Sequence, residues 1–252
     1  MHIILTGATG LVGSGALDAM MKMKDVSKIS ILSRRPVAMA ENAKDPRINV
    51  ILHQDFEKYD SELLSKLKGA SGCVWALGIS QTQVGSEEYV KITKTFALAA
   101  AKAFQTIATD EEPFNFVYVS GLGATTEPGM FTSLFARTKG EVEAALGQMR
   151  RENPNFHAVS VRPAAVDASA HDAIKPYIPT PPISTRALML VLGIPVRTVF
   201  TGLHSPTEHL GRTLAELAMG RYKDRLVAWK DIQKIGEFPI LENPVLRKLA
   251  GL

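Results

Sequence analysis

Short apolar runs alternate along this chain with longer segments of helical period. Residues His2–Thr6 form the first run, apolar and compatible with a buried strand. Comparable runs follow at 28–33, 48–52, 72–77, 114–120 and 156–162, each of strand length. Between them, 11–23, 61–68, 87–104 and 132–151 repeat their apolar positions as helices do. Strands that alternate with helices predict an α/β fold, a doubly wound parallel sheet covered on both faces. Right-handed crossovers would then line the C-terminal strand ends along one rim, where a ligand sits.

The first strand runs into Gly7, Gly10 and Gly13, a GxxGxxG spacing, and then into the helix from Leu11. Strand, glycine turn and helix in this order open a dinucleotide-binding βαβ unit, the Rossmann arrangement. One glycine lets the chain turn off the strand, one admits a pyrophosphate, and one lets the helix pack close to the sheet. Thr9, Leu11 and Val12 lie between them, where the helix N-terminus offers unpaired N–H groups to phosphates. We therefore expect a single domain over 1–252, with a dinucleotide-binding core at 1–165. A substrate loop and a C-terminal helical region are expected over 166–252.

The second strand ends in Ser33-Arg34-Arg35, where an NAD-specific site would carry a carboxylate for the ribose hydroxyls. Two guanidinium groups suit a 2′-phosphate instead, which selects NADP(H) over NAD(H). After the fourth strand come Ala76, Leu77 and Gly78, small enough for ribose and phosphates to lie against backbone. Composition narrows the class further. The net charge of +4 comes without a dense Lys/Arg run, so nucleic acid ranks low as a partner. The one cysteine, Cys73, excludes an internal disulfide. The longest apolar segment, 187–194, is too short to span a bilayer, and the six histidines show no metal-ligand spacing. The N-terminus shows no charged leader, so a cytoplasmic location is expected.

TGATGLVG, the arginine pair, DFEKYD, WALGISQTQVGSEEYVKIT, FVYVSGLGA, FARTKGEVEAAL and VRP together resemble the atypical short-chain dehydrogenase/reductases. The fungal epimerase-like members related to the Tat-interacting-protein oxidoreductase are the most similar. The resemblance implies a catalytic serine, tyrosine and lysine, the last two spaced YxxxK. Ser120 and Lys139 match, but the tyrosine position holds Phe135. Phenylalanine keeps the ring and loses the acid, and such acid–base catalysis contributes about 10²–10⁴-fold. The family pattern also brings Asp55 to the adenine (it could equally cap a turn), Thr93 to an assisting position, and Pro163 beside the nicotinamide. Lys139 would hold the ribose, or else pair with Glu143 on the helix surface. Ser120 would bond a substrate oxygen, or else merely end a strand.

The loop 167–182 supplies three candidate replacement proton donors, Asp167, His171 and Tyr177. Ser205 reads as the N-cap of a helix with Pro206 at its first position, and Asn243-Pro244 starts another. His204 and His209 read as ordinary helix-end residues. The implied function is an NADP(H)-dependent oxidoreductase or isomerase acting on a small carbonyl or conjugated substrate. The alternative is a catalytically silent NADP(H)-sensing or interaction protein. The superfamily commonly dimerises through helices corresponding to 87–104 and 132–151, which implies a homodimer.

Overall fold

In the computed structural model, residues 1–107, 113–180, 193 and 195–252 are described. The apolar segment 187–194, apart from Gly193, and the last two residues of the 167–182 loop lie outside them.

The core is built from β1 (His2–Thr6), β2 (Lys28–Ser33), β3 (Ile48–Leu52), β4 (Ala70–Trp75), β5 (Phe114–Val119) and β6 (Phe156–Arg162). All six run parallel in the order β3-β2-β1-β4-β5-β6. Strand order therefore reverses between β1 and β4, and in such sheets the ligand crevice opens at that switch point. The β4 strand ends at Trp75, earlier than the apolar run suggested, so Ala76 and Leu77 already belong to the rim. The stretch read as helical beyond residue 166 also contributes strands. Chain segments β9 (Gln233–Ile235) and β10 (Phe238–Glu242) extend the same sheet beside β6, with β10 parallel and β9 antiparallel. A small separate pair joins β7 (Ala165–Asp167) to β8 (His204–Pro206).

Alternation along the strands divides the core in two. On one face lie α1 (Leu11–Lys22), α7 (Thr207–Ala218) and α9 (Asn243–Leu249), packed on Ile3, Leu5, Val74 and Val117. The other face carries α3 (Ser61–Leu67), α5 (Phe96–Phe104) and α6 (Leu134–Glu152) over Ile4, Trp75, Phe114, Phe116 and Phe156. That second face is aromatic: Trp75 and Phe116 stack at 6.2 Å, and Phe116 meets Phe156 at 5.6 Å. Burying such rings stabilises strongly through area alone, with a further increment from ring geometry. The first face is held by close backbone approach. A Cβ on Gly211 of α7 would fall 2.2 Å from the Gly15 carbonyl oxygen of α1. The two helices therefore touch backbone to backbone, which only glycine permits at that spot.

Three local features depart from the sequence reading. A short helix, α2 (Ala38–Ala43), follows the arginine pair. The helix expected at 87–104 is interrupted: α4 (Ser86–Val90) passes into a π-turn at Lys91–Thr95 before α5. Ser205 is not a helix cap, because α7 begins at Thr207 behind an extended Pro206. The Ser205 hydroxyl instead accepts from the Ala164 N–H at 3.0 Å and donates to Asn243 Oδ1 at 2.6 Å. It ties the β6 exit to α9, whose start at Asn243 with proline in its first turn matches the sequence reading.

Candidate functional site

The glycine loop is tightly specified by its own backbone. Gly7 has φ +70°, and a Cβ there would lie 2.3 Å from the Ala76 carbonyl oxygen. A Cβ on Gly13 would lie 2.1 Å from the Gly7 carbonyl oxygen. The turn thus folds onto itself and onto the end of β4, and the Leu77 N–H donates to Thr6 Oγ1 at 3.2 Å to close the seam. Gly10 differs: its Cβ would meet only the Gly7 carbonyl oxygen, at 3.3 Å, and the outer side is open. It is the N-cap of α1, extended at φ −100° and ψ 171°, with no side-chain cap. Leu11, Val12 and Gly13 form the first turn of that helix, directly after Thr9 and Gly10. A Cβ at Gly78 would meet nothing. An open cradle with backbone donors on one side and a bare strand end on the other fits a dinucleotide pyrophosphate.

Arg34 and Arg35 are exposed where β2 ends. Their backbone is fixed: the Gln54 amide donates to the Arg34 carbonyl and the Ser33 hydroxyl to the Arg35 carbonyl, both at 2.7 Å. Neither guanidinium makes an ion pair among the described residues, so both stay available to an anion. Asp55 accepts from the Glu57 N–H at 3.1 Å and pairs with Lys58 at 3.5 Å, the turn-capping geometry.

Across the switch point stands the second half of the site. Lys139 rises from α6 and donates to the Val119 carbonyl at 2.8 Å and the Ser120 carbonyl at 3.4 Å. Its ammonium lies over the Tyr118 ring at 5.1 Å. Burial disfavours its charge and lowers its pKa to about 8, with Glu143 opposing the shift. Ser120 is buried at the end of β5, and its hydroxyl has no hydrogen-bond partner among the described residues. Buried polar groups are normally paired, and one left free at a strand rim is available to a ligand oxygen. Phe135 sits one turn before Lys139, and its Cζ would be 2.9 Å from a Cβ at Gly121. The ring tip therefore fills the space over Gly121 and carries no acid there. Pro163 accepts the Leu122 N–H through its carbonyl at 3.0 Å, which places the VRP turn beside the β5 exit. Thr93 lies buried within the π-turn. Widened turns of this kind often mark functional helices.

Glu143 is not a surface partner of Lys139. It is fully buried and binds Arg162 at 3.0 Å through Nε, with a second bond to Nη2, while accepting the Ser160 hydroxyl at 2.7 Å. Arg162 also reaches Glu242 at 2.7 Å. This network locks α6, β6 and β10 together beneath Lys139, and nothing in a local i, i+4 reading could reveal it.

The three candidate replacement donors are each held by other partners. Burial by itself would raise the Asp167 pKa, but bonds from Arg197, from the Ser169 N–H and hydroxyl, and from His204 hold it well below the usual range. His204 lies at 3.0 Å from Asp167, in β8 rather than at a helix end. His171 is buried and bridges Asp18 of α1 and Thr207 of α7, at 2.9 Å to each. Tyr177 accepts from the Asn42 amide at 3.1 Å. His171 thus fastens the loop to α1 and α7, Tyr177 to α2, and Asp167 to β8 and Arg197. Among the described residues, no group of histidine, cysteine or acidic side chains has the arrangement of a metal site.

No family model matches the sequence. Curated fungal relatives do, two of them named for biosynthesis clusters. The leucinostatins biosynthesis cluster protein T of Purpureocillium lilacinum is 36% identical over 251 residues, covering 90% of this chain and 88% of that protein. The botcinic acid biosynthesis cluster B protein 16 of Botryotinia fuckeliana is 45% identical over 157 residues, 62% of this chain and 99% of that protein. Among solved structures, a short-chain dehydrogenase/reductase from Saccharomyces cerevisiae superposes with a TM-score of 0.64 at 14% identity, covering 98% of both chains. A UDP-glucuronic acid 4-epimerase from Bacillus cereus, in complex with NAD, gives 0.52 at 18% identity over 66% of this chain. This chain spans only 57% of that epimerase. These likenesses confirm the Rossmann fold. The cytoplasmic location expected from the sequence is overturned by mitochondrial relatives, among them the mitochondrial protein fmp52 of Emericella nidulans. That protein is 31% identical over 143 residues, 56% of this chain and 58% of its own length. No described helix is long and apolar enough to cross a membrane, and the fold itself carries no compartment signal. The extent of the leucinostatin-cluster match, on a Rossmann sheet that sets a serine and a lysine at the rim facing the glycine loop, makes this chain a member of the atypical short-chain dehydrogenase/reductases.

Proposed function

We propose that the protein is an NADP(H)-dependent oxidoreductase or isomerase of fungal secondary metabolism, acting on a small carbonyl or conjugated substrate. The observation that carries this reading is the Lys139 ammonium anchored to the Val119 and Ser120 carbonyls beside a Ser120 hydroxyl left unpartnered among the described residues. Relatives named for biosynthesis clusters and a neighbour that holds NAD support it. When bound, the nicotinamide donates or accepts hydride. The chain's own residues hold the reactants. The Gly10 cradle and the N-terminus of α1 would take the pyrophosphate, and Arg34 and Arg35 the 2′-phosphate. Lys139 would hold the ribose hydroxyls, and Ser120 would donate to the substrate oxygen. Phe135 shields that oxygen from water on one side and gives it no proton. The substrate class follows from this gap: a conjugated acceptor, whose carbon can be protonated from solvent after hydride addition, suits the site better than a simple ketone.

A second reading, a binder without turnover, is favoured by Phe135 together with the structural employment of Asp167, His171 and Tyr177. Calorimetric titration with NADPH and NADH tests the cofactor assignment. Tighter NADPH binding by tenfold, about 1.4 kcal/mol, is expected. Equal affinity removes the phosphate clamp, and no binding of either removes the proposed function.

A further inference from the structure

A second cavity opens at the other end of the sheet. It has a volume of about 280 Å³ and lies where β5 and β6 begin, between their N-terminal ends, α7 and the β9–β10 hairpin. Asn115 and His157 line it, each the second residue of its strand. Ser120 and Arg162 close those same strands at the nucleotide rim. Five residues of extended chain separate the two ends, roughly 17 Å at about 3.3 Å per residue.

The cavity collects positive charge. Arg150, Lys223 and Lys234 line it with His157, and the one carboxylate among its walls is Glu237. None of the three cations makes an ion pair within hydrogen-bonding range among the described residues. Arg150 is half-buried and spends one N–H on the Ala158 carbonyl, at 2.7 Å. Burial lowers its pKa and Glu237 opposes the shift. His157 is pushed down by burial and then by Lys223 and Arg150, which records the positive field inside the cavity. Lys223 and Lys234 are exposed at the mouth, whereas Arg150 is partly withdrawn from water, where an unpaired charge is costly and a bound counter-charge relieves it. The remaining walls are hydrocarbon, with Val159, Leu217, Leu226 and Val227 beside the basic groups.

We infer that this cavity binds a small organic carboxylate, its head on Arg150 and Lys223 and its hydrocarbon body against Val159, Leu226 and Val227. The volume stands at the small end of ligand sites, which excludes a dinucleotide. A planar guanidinium matches a carboxylate in two parallel bonds, and the apolar wall distinguishes the ligand from a bare inorganic anion.

The test is ¹H–¹⁵N NMR of the whole protein, saturated with NADPH, titrated with hexanoate, hexan-1-ol and inorganic phosphate. Hexanoate is expected to shift the amides of Asn115, Arg150, His157 and Lys223, at least tenfold more tightly than hexan-1-ol. Arg150→Met should weaken it tenfold or more. Because Arg150 also holds the Ala158 carbonyl, Lys223→Met serves as the second variant, and a threefold or larger loss is expected there. Equal binding of the alcohol, phosphate binding in preference to hexanoate, indifference to both substitutions, or no shift at these amides would each overturn the proposal. So would hexanoate binding that appears only when NADPH is absent.

Discussion

The two halves of the candidate site are built to different standards. On the β1–α1 side, Gly7 and Gly13 are fixed by backbone 2.3 Å and 2.1 Å from where a side chain would begin, Gly10 stays open, and the arginine pair is presented on anchored backbone. Across the switch point, Lys139 is held at the β5 exit beside Ser120, and Phe135 one turn before it carries no acid, so the proposed trio lacks its proton donor. Cofactor binding and proton transfer are thus separable in this fold. The first depends on backbone geometry, which tolerates almost no change. The second depends on one side-chain atom, which can be lost without disturbing the packing.

The difference can be broken from the binding side first. Gly13→Val would drive its side chain into the Gly7 carbonyl. NADPH binding should vanish in calorimetry, with a stability loss of about 1–3 kcal/mol in denaturant melts. A variant that still bound NADPH would mean that the loop has slack that its contacts do not show. On the catalytic side the next largest effect is structural. Glu143→Ala leaves Arg162 buried beneath Lys139 without its main partner. Breaking such a pair costs about 3–5 kcal/mol, or roughly 10 °C in Tm for a chain of this size. A change under about 1 kcal/mol would show that Glu242 alone satisfies the guanidinium.

Arg34→Asp combined with Arg35→Ala should weaken NADPH about tenfold and leave NADH unchanged, which sharpens the role of the arginine pair without touching the glycines. The smallest effect concerns the Lys139 charge. Its pKa falls from 10.5 to about 8 because burial disfavours the ammonium. Between these values the unfolded chain holds more protons than the fold, so stability rises as pH rises through this window. Lys139→Met should flatten that rise in urea titrations across the same interval. An unchanged slope would assign the rise to other groups.

The glycine loop was legible in the sequence because everything it needs is consecutive: strand, turn and helix within thirteen residues. The six core strands were legible for a related reason, since each is a short stretch rich in apolar and β-branched residues, buried through most of its length in all but the edge strand β3. What escaped was non-local. Glu143 looks like the i, i+4 partner of Lys139, but its partner Arg162 is 19 residues away on a strand. Asp167, His171 and Tyr177 look like free donors in a loop, and only the packed fold shows what each of them holds. The β9–β10 hairpin is short and polar on its outer strand, so it gives little periodic signal. The π-turn at Lys91–Thr95 costs the helix no apolar position and leaves no trace in the pattern.

The most direct test of the central claim compares wild-type protein and Phe135→Tyr, both saturated with NADPH, in single-turnover reduction of a small aldehyde. The account predicts negligible hydride transfer by the wild type and a gain of about 10²–10⁴-fold when the hydroxyl is restored. A wild-type rate equal to that of the variant would contradict it, because the proton would then be coming from a group other than the one this chain has lost.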